Sequence, residues 1–284
     1  MVLITGILGQ LGYDLAKELT RRGVEYIAPS LEELELTTEA GAKNFILEKK
    51  PDIVVHCAAY TAVDKAESEK ELAITVNGFG TRWVAEACRE VNAKMIYIST
   101  DYVFGGDGHT PYEVNDEKKP VNMYGQSKLL GEDAVRMLLE KYFIVRTSWV
   151  FGINGHNFIK TMLRLAETKK KLEVVNDQFG SPTYTVDLAK LLADMLATEK
   201  YGIYHASNEG FCSWADFARE IFKQAEIDIE VDGIPTIEYP TPARRPFNSR
   251  LSKKSLDEAG FNRLPTWQDA VKRYLVELNA TKEN

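Results

Sequence analysis

The chain has 284 residues, 44% hydrophobic and 27% charged, an ordinary globular composition with enough length for a large core and two lobes. Its formal net charge is −7, and the densest basic run, Lys169-Lys170-Lys171, reads as a solvated helix end, so no nucleic-acid surface is expected. No apolar run reaches the ~18 residues of a membrane-spanning helix, and Cys57, Cys88 and Cys212 are too scattered, and odd in number, for a disulfide framework or a zinc site.

Strand-like residues begin at Val2, so a signal peptide is not expected; with free cysteines this points to the reducing cytoplasm. Val2-Leu3-Ile4-Thr5 reads as a short buried strand. It runs into Gly6-Ile7-Leu8-Gly9-Gln10-Leu11-Gly12 and then a helical run to about Arg22. A strand, a glycine turn and a helix N-terminus form a cradle for a phosphate: backbone N–H groups and the helix dipole face the anion, and glycine lets the backbone come close. Strand-helix alternation continues. Strands are expected at Glu25–Ala28, Asp52–Cys57, Lys94–Ser99 and Phe143–Thr147, and helices at Glu39–Lys50, roughly Asp64–Val91, and after Tyr124. Such a pattern implies an α/β fold with a doubly wound parallel sheet covered on both faces. Ligands in these sheets bind beyond the carboxyl ends of the strands, so Gly6, Ala58-Ala59-Tyr60, Ser99-Thr100 and Thr147-Ser148-Trp149 should meet at one crevice.

After Trp149 the pattern loosens. Helices are expected at about Asn157–Thr168, Val186–Thr198, from Ser213 as N-cap, at Ser252–Ala259 and at Thr266–Asn279, with strands at Leu172–Val175 and Tyr201–Ala206. The segment Pro240–Leu251 is irregular, basic and rich in proline. Residues 1–150 thus read as a dinucleotide-binding, Rossmann-like domain, and 151–284 as a smaller α-rich lobe interleaved with it.

Chemistry concentrates on Tyr124-Gly125-Gln126-Ser127-Lys128. Tyr124 and Lys128 are i and i+4, hence on one helix face. A tyrosine loses its proton near pH 10, and a neighbouring ammonium lowers that value. A shift of roughly 3 units, worth about 4 kcal/mol, would let the phenol give a proton to a carbonyl undergoing reduction. Thr100, at the end of the fourth strand, can bond and polarise such a carbonyl.

In this order, Gly6/Gly9/Gly12, Ala58-Ala59, Asn77, Thr100, Tyr124 and Lys128 make the chain resemble the extended short-chain dehydrogenase/reductases over nearly its whole length. Within them it is most similar to the dTDP-4-dehydrorhamnose reductase family. That resemblance rests on Gly9-Gln10-Leu11-Gly12, Tyr60 to Glu67, Ser99-Thr100-Asp101-Tyr102-Val103-Phe104, Arg146 to Val150, Asn157-Phe158, Asn176 to Thr183, Arg245-Pro246 and Asn248 to Leu251. It implies NADPH-dependent reduction of the 4-keto group of dTDP-6-deoxy-L-lyxo-4-hexulose in surface polysaccharide synthesis. Tyr124 would be the proton donor, Lys128 would hold the nicotinamide ribose and tune Tyr124, and Thr100 would polarise the carbonyl. Gly6, Gly9, Gln10, Leu11, Gly12, Ser30, Glu35, Leu36, Ala58, Ala59, Tyr60, Thr61, Asn77 and Ser99 would contact the cofactor. Thr100, Asp101, Tyr102, Trp149, Asn157, Phe158 and Arg245 would contact the sugar nucleotide.

Strand two ends Ala28-Pro29-Ser30, without the acid that usually holds an adenosine 2′-hydroxyl. Ser30 leaves room for a 2′-phosphate, which favours NADPH, while nearby Glu32, Glu33 and Glu35 keep NADH open. Some relatives carry an acid linked to a divalent cation between subunits; here that position is Val186, which cannot ligate magnesium, so no metal is expected and the chain is a monomer or homodimer. The rival readings are a nucleotide-sugar dehydratase or epimerase and a non-catalytic NADP-binding regulatory subunit. Tyr102 stands where a dehydratase would need a carboxylate.

Overall fold

The computed structural model describes residues 1–281. Val2–Thr5 form β1, and all four residues are buried, as a strand covered on both faces requires. Beside it lie β2 (Tyr26–Ile27), β3 (Ile53–His56), β4 (Lys94–Thr100), β5 (Tyr142–Thr147) and β6 (Gly202–His205). They form one six-stranded sheet in the order β6-β5-β4-β3-β1-β2, with every neighbouring pair parallel. The chain leaves β1 toward β2 and returns to place β3 on the other side. This reversal splays the connections at the carboxyl ends of β1 and β3 and opens a crevice there.

One face of the sheet is covered by α1 (Gln10–Arg21) and, later in the chain, α6 (Thr185–Leu196), through Leu11, Leu15 and Leu19 packed with Leu188 and Leu192. The other face carries α2 (Glu39–Lys49), α3 (Thr81–Glu90) and α4 (Met123–Leu138), through Ile46, Val84, Cys88 and Val135. Each buried leucine or isoleucine of this kind contributes roughly 1.5–3 kcal/mol, so the sheet is held by both layers together.

Several boundaries differ from the sequence reading, for physical reasons. The strand expected over Glu25–Ala28 shortens to two residues at the sheet edge. The single helix expected over Asp64–Val91 is broken into Val63–Ala66, Lys70–Ile74, a π-helical stretch Thr75–Gly80, and α3. Within the π stretch, a Cβ on Gly80 would lie 2.7 Å from the Leu36 carbonyl oxygen, so only glycine permits this close approach. Gly202–His205 follows residue 150 in the chain yet forms the far edge of the central sheet, beside β5.

The elements after Trp149 build a second core. It joins α5 (Phe158–Ala166), α7 (Trp214–Gln224) and α9 (Trp267–Ala280) through Phe151, Ile159, Tyr184, Phe217, Ile221, Val271 and Tyr274. α8 (Lys254–Ala259) sends Leu256 into the first core instead. Three short strand pairs flank the second core: Val150–Phe151 with Thr183–Tyr184, Lys171–Val175 with Glu230–Ile234, and Phe179–Gly180 with Cys212–Ser213. Ser213 opens α7 as expected, in a reciprocal capping box with Asp216.

A buried ion pair fastens α4 to the sheet. Arg146 of β5 donates from Nε to Glu132 Oε1 at 2.8 Å and from Nη2 to Oε2 at 2.7 Å, and neither side chain is exposed. Removing one partner of such a pair leaves an uncompensated charge and costs about 3–5 kcal/mol. Arg146→Met should therefore lower unfolding stability by that amount in denaturant titration, and adding Glu132→Gln should restore part of it. A single variant as stable as the wild type would show that the pair contributes nothing.

Candidate active site

A cavity of about 880 Å³ opens at the carboxyl ends of β1, β3, β4 and β5. Gly6, Ala58, Ala59, Ser99, Thr100, Thr147, Ser148 and Trp149 all line it, as their strand-end positions require. One end is the glycine turn. Gly6 has φ +70°, and a Cβ on it would come within 2.8 Å of the Ala58 backbone. A Cβ on Gly12 would lie 2.3 Å from the Gly6 carbonyl oxygen. No side chain caps the first turn of α1, whose residues Gln10, Leu11 and Gly12 line the cavity, so its N–H groups are left open to an anion. This cradle, which any side chain would fill, suits the diphosphate of a dinucleotide. Gln10 lines it too, but its carboxamide oxygen is taken up by the Gly152 amide at 2.9 Å and by Asn157 Nδ2 at 3.1 Å.

Beyond the turn the cavity runs along Ser30, Leu31, Leu34, Glu35, Leu36 and Thr37. Ser30 is not simply empty space. Its amide donates to Glu33 Oε2 at 2.8 Å, and its hydroxyl accepts from the Glu33 amide at 3.2 Å. The Glu33 carboxylate is spent on that amide and is not part of the lining, and among the described residues no lysine or arginine lines this end.

The opposite end holds Thr100, Asp101, Tyr102, Tyr124, Lys128, Trp149 and Arg245. Asn122 caps α4 by accepting from the Gly125 amide at 2.8 Å, and its Nδ2 donates to the Arg244 carbonyl at 2.9 Å. A Cβ on Gly125 would be 2.2 Å from the Tyr102 carbonyl oxygen, so the glycine lets the helix start press against the turn after β4. As a result the rings of Tyr124 and Tyr102 meet edge to face, 5.8 Å apart.

The electrostatics of Tyr124 differ from the expected Lys128-tuned phenol. Burial pushes its hydroxyl well above the ordinary tyrosine range, the charge of Asp101 adds to that, and a bond with Thr100 opposes it. Lys128 itself is buried, with Nζ 4.2 Å from the centre of the Tyr97 ring. Burial brings its ammonium down to about 7, and the Glu132 carboxylate is the strongest influence in the other direction. Below that pH Lys128 is charged; above it the charge is lost. Burial, with Lys128 adding, also holds His56 near 3 and so neutral, bonded to Thr5 Oγ1 at 2.9 Å.

Arg245 is pinned rather than loose: Nη2 contacts Asp64 Oδ2 at 2.7 Å and Nη1 donates to the Tyr102 hydroxyl at 3.4 Å. Trp149 adopts φ +48° and stacks on Trp214, ring centres 3.6 Å apart. A Cβ on Gly180 would touch the Trp149 indole at 2.8 Å, which explains the glycine there.

Four of the expected contact residues do not line the cavity. Asn157 caps α5 and braces Gln10, the Gly152 carbonyl and the Tyr274 hydroxyl. Phe158 packs on Trp214 and Phe217 in the second core. The Tyr60 hydroxyl turns to Glu69 at 2.5 Å. Asn77 brackets the Tyr60 backbone and donates to Ser127 Oγ at 2.9 Å, and Ser127 in turn donates to the Tyr124 carbonyl. The side chains of Asn77 and Asn157 are thus engaged by other protein groups. Leu11, Gly9 and Thr61 do line the cavity. Val186 packs into the second core, while the next residue, Asp187, is bonded to Arg273 and Asn208.

Sequence reasoning missed Trp214 and His156, both cavity-lining, and Glu132. The last had a signal, since Tyr124, Lys128 and Glu132 form one i, i+4, i+8 stripe. Trp214 and His156 had none, because their neighbours come from distant chain segments.

Residues 1–280 match the family model described as the RmlD substrate binding domain. The spore coat polysaccharide biosynthesis protein SpsK of Bacillus subtilis (strain 168) is 42% identical over 276 residues, covering 97% of each chain. A dTDP-4-dehydrorhamnose reductase of Escherichia coli (strain K12) is 40% identical over 298 residues, covering 99% of this chain and 98% of the relative. The crystal structure of dTDP-4-dehydrorhamnose reductase from Bacillus anthracis str. Ames in complex with NADP superposes with a TM-score of 0.94 at 43% identity, over 97% of this chain and 98% of that one.

If the glycine turn is the diphosphate cradle, Gly12→Ala must push it open. Dinucleotide affinity, measured by fluorescence titration, should fall at least about tenfold, or 1.4 kcal/mol. An unchanged dissociation constant in a folded Gly12→Ala variant would remove the turn from the binding site.

Proposed function

Because this chain belongs to the RmlD substrate binding domain family, we propose that it performs the NADPH-dependent reduction of the 4-keto group of dTDP-4-dehydro-6-deoxy-L-mannose, giving dTDP-L-rhamnose for surface polysaccharide synthesis. The observation that carries this reading is a single continuous cavity, with a glycine cradle at one end and Thr100, Tyr124 and Lys128 at the other. The two ends correspond to the two things a reductase must bind side by side. The reduced nicotinamide supplies the hydride when bound, and NADH fits the same cradle.

The chain's own residues supply the rest. Thr100 and Tyr124 hold the sugar carbonyl, and the Tyr124 hydroxyl gives it a proton. Lys128, under the Tyr97 ring, anchors the nicotinamide ribose in its charged form. Trp149, stiffened by its stack on Trp214, forms the apolar wall against the hexose. Arg245, tethered to Asp64, borders the same end and suits the diphosphate of the sugar nucleotide. With its free cysteines and, among the described residues, no helix long and apolar enough to cross a membrane, the chain fits a cytoplasmic enzyme. The division near residue 150, into a dinucleotide-binding part and a sugar-nucleotide part, belongs to the same reading.

The dehydratase alternative needs a carboxylate where Tyr102 stands. Tyr102 instead bonds Arg245 and packs on Tyr124. A reductase consumes one NADPH per sugar, whereas a dehydratase returns the hydride. Incubation with the 4-keto sugar should therefore give a permanent loss of nicotinamide absorbance matched to product, and dTDP-glucose should give none. Conversion of dTDP-glucose without net loss of NADPH would establish the dehydratase instead.

Tyr124→Phe should keep the fold and the affinity for NADPH while kcat falls about 10²–10⁴-fold, the usual contribution of a general acid. Steady-state kinetics with an unchanged kcat would take Tyr124 out of the reaction.

A further inference from the structure

Asn157 opens α5, and the orientation of its carboxamide is fixed by what it must accept. Oδ1 accepts from the Lys160 amide at 3.1 Å, and a backbone N–H can only donate, so the other arm is the NH2 group. That Nδ2 donates to the Gly152 carbonyl at 2.8 Å, to Gln10 Oε1 at 3.1 Å and to the Tyr274 hydroxyl at 3.1 Å. The Gly152 amide donates to the same Gln10 oxygen at 2.9 Å. Two donors therefore converge on one arm of the Gln10 carboxamide. Turning that carboxamide over would set its NH2 against an N–H and another NH2, and both bonds would be lost.

What remains is the Gln10 NH2. Among the described residues it meets no acceptor, and Gln10 lines the cavity. Gln10 is also the first residue of α1, whose N-cap, Gly9, offers no side-chain bond. The side chain thus adds N–H donors to a helix start that already has free backbone N–H groups, beside the glycine turn. A set made of donors suits a diphosphate. The loop that fixes Gln10 is itself held in place: Asn154 Nδ2 donates to the Leu8 carbonyl at 2.7 Å, and Lys160 Nζ to the Ile153 and Gly155 carbonyls at 2.6 and 2.9 Å.

Resting on the reductase reading, we propose that Asn157 is a positioning residue for the dinucleotide: through the Gln10 oxygen it holds the Gln10 NH2 toward the glycine cradle, where that group donates to the diphosphate. Asn157 then serves the cofactor and not the sugar nucleotide, from a place behind Gln10 and outside the cavity lining. The loop 152–157, in the later half of the chain, thereby takes part in holding a ligand of the first half. The same role accounts for asparagine at this position. Serine, threonine and aspartate cap helices as well, but of the four only asparagine accepts with one arm and offers two N–H bonds with the other.

Two measurements on the full chain test this. Asn157→Ser keeps a capping oxygen and removes the NH2 group; it is compared with Gln10→Ala and with the double variant. The NADPH dissociation constant should rise about fivefold to tenfold in each single variant. It should rise no further in the double variant, since Asn157 acts through Gln10. KM for the 4-keto sugar at saturating NADPH should stay at the wild-type value in Asn157→Ser. In nitrogen-15 resolved NMR spectra of the wild type, the side-chain NH2 signal that Gln10→Ala abolishes should move downfield when NADPH is added, and should move less in Asn157→Ser. A loop that is merely loosened weakens NADPH without that signature. A Gln10 signal that NADPH leaves in place overturns the proposal, and so do losses that add in the double variant. A raised sugar KM with a wild-type NADPH dissociation constant in Asn157→Ser also overturns it, being the result expected of a sugar contact. If the wild type binds NADPH but oxidises none with any 4-keto sugar, the reductase reading fails instead, and the Gln10 signal and the variant comparison still decide the role of Asn157.

Discussion

The fully buried pair of Glu132 and Arg146 is the interaction on which the geometry of the site depends. Its cost in water is large, and geometry of this quality is what repays it. Both oxygens of Glu132 are used, Oε1 twice, since Ser99 Oγ of β4 also donates to it at 2.6 Å. The remaining Arg146 donor reaches the Val114 carbonyl at 2.9 Å and His205 Nε2 of β6 at 3.3 Å. Five separate chain segments are therefore fixed by one guanidinium and one carboxylate. A rotation of α4 by one residue would turn its face by about 100°, leave Arg146 unpaired, and carry Tyr124 and Lys128 away from the cavity together. The pair converts a generic helix-on-sheet packing into a single rotational setting.

Desolvation then gives the catalytic end its chemistry. The same lack of water raises Tyr124, lowers Lys128 to about 7 and raises Asp101 to about 7. These shifts share one sign in physical terms: each favours the neutral form. The site is thus built to hold few charges until a charged ligand enters. A diphosphate or a nicotinamide ring changes that balance directly, so ligand binding and protonation are coupled through Coulomb interactions in a dry pocket. The spacing of Tyr124 and Lys128 suggested that the lysine sets the acidity of the tyrosine. Spacing places two groups on one face, but it carries no information about how much water surrounds them.

The parts of the structure that were legible in the sequence are those governed by local rules. β1, the glycine turn and α1 follow from an apolar run, a Gly6/Gly9/Gly12 spacing and helical periodicity, and they form where expected. The strand ends meet at one crevice because parallel topology requires it. The misses arise where distant contacts overrule local signals. The 64–91 segment has a helical pattern throughout, yet the chain turns at residues 67–69 and carries a π-helical stretch at Thr75–Gly80, whose last glycine lies against Leu36. Asn157 and Phe158 stand out as a motif, but in the fold they meet Gln10 and Trp214, far away in the chain, and do not line the cavity. Ser30 lines the cavity as its strand-end place requires, but the bond of its amide to the Glu33 carboxylate belongs to the folded turn and has no signal in the spacing.

The segments on either side of residue 150 are interleaved in the fold. α6 and β6 lie beyond it in sequence yet complete the central sheet and its cover. The cavity is enclosed by contacts that cross between the two cores: Gln10 with Gly152 and Asn157, Asp64 with Arg245, and Asn122 with the Arg244 carbonyl. Each of these ties a loop of the later segment to an element that also borders the glycine turn or the Tyr124 helix. Asp64–Arg245 is the one of them that pairs full charges at a partly exposed position, where water and salt weaken an ion pair. The other two are hydrogen bonds of amides and carbonyls, insensitive to salt. The segment carrying Arg245 is held by further bonds of the firm kind: the Ala243 amide donates to Asp64 Oδ1 at 3.2 Å, the Asn248 amide to the Gly106 carbonyl at 2.9 Å, and the Asn248 Nδ2 to the Thr110 carbonyl at 2.9 Å. Screening of the Arg245–Asp64 pair therefore loosens one side chain and leaves the backbone beneath it fixed.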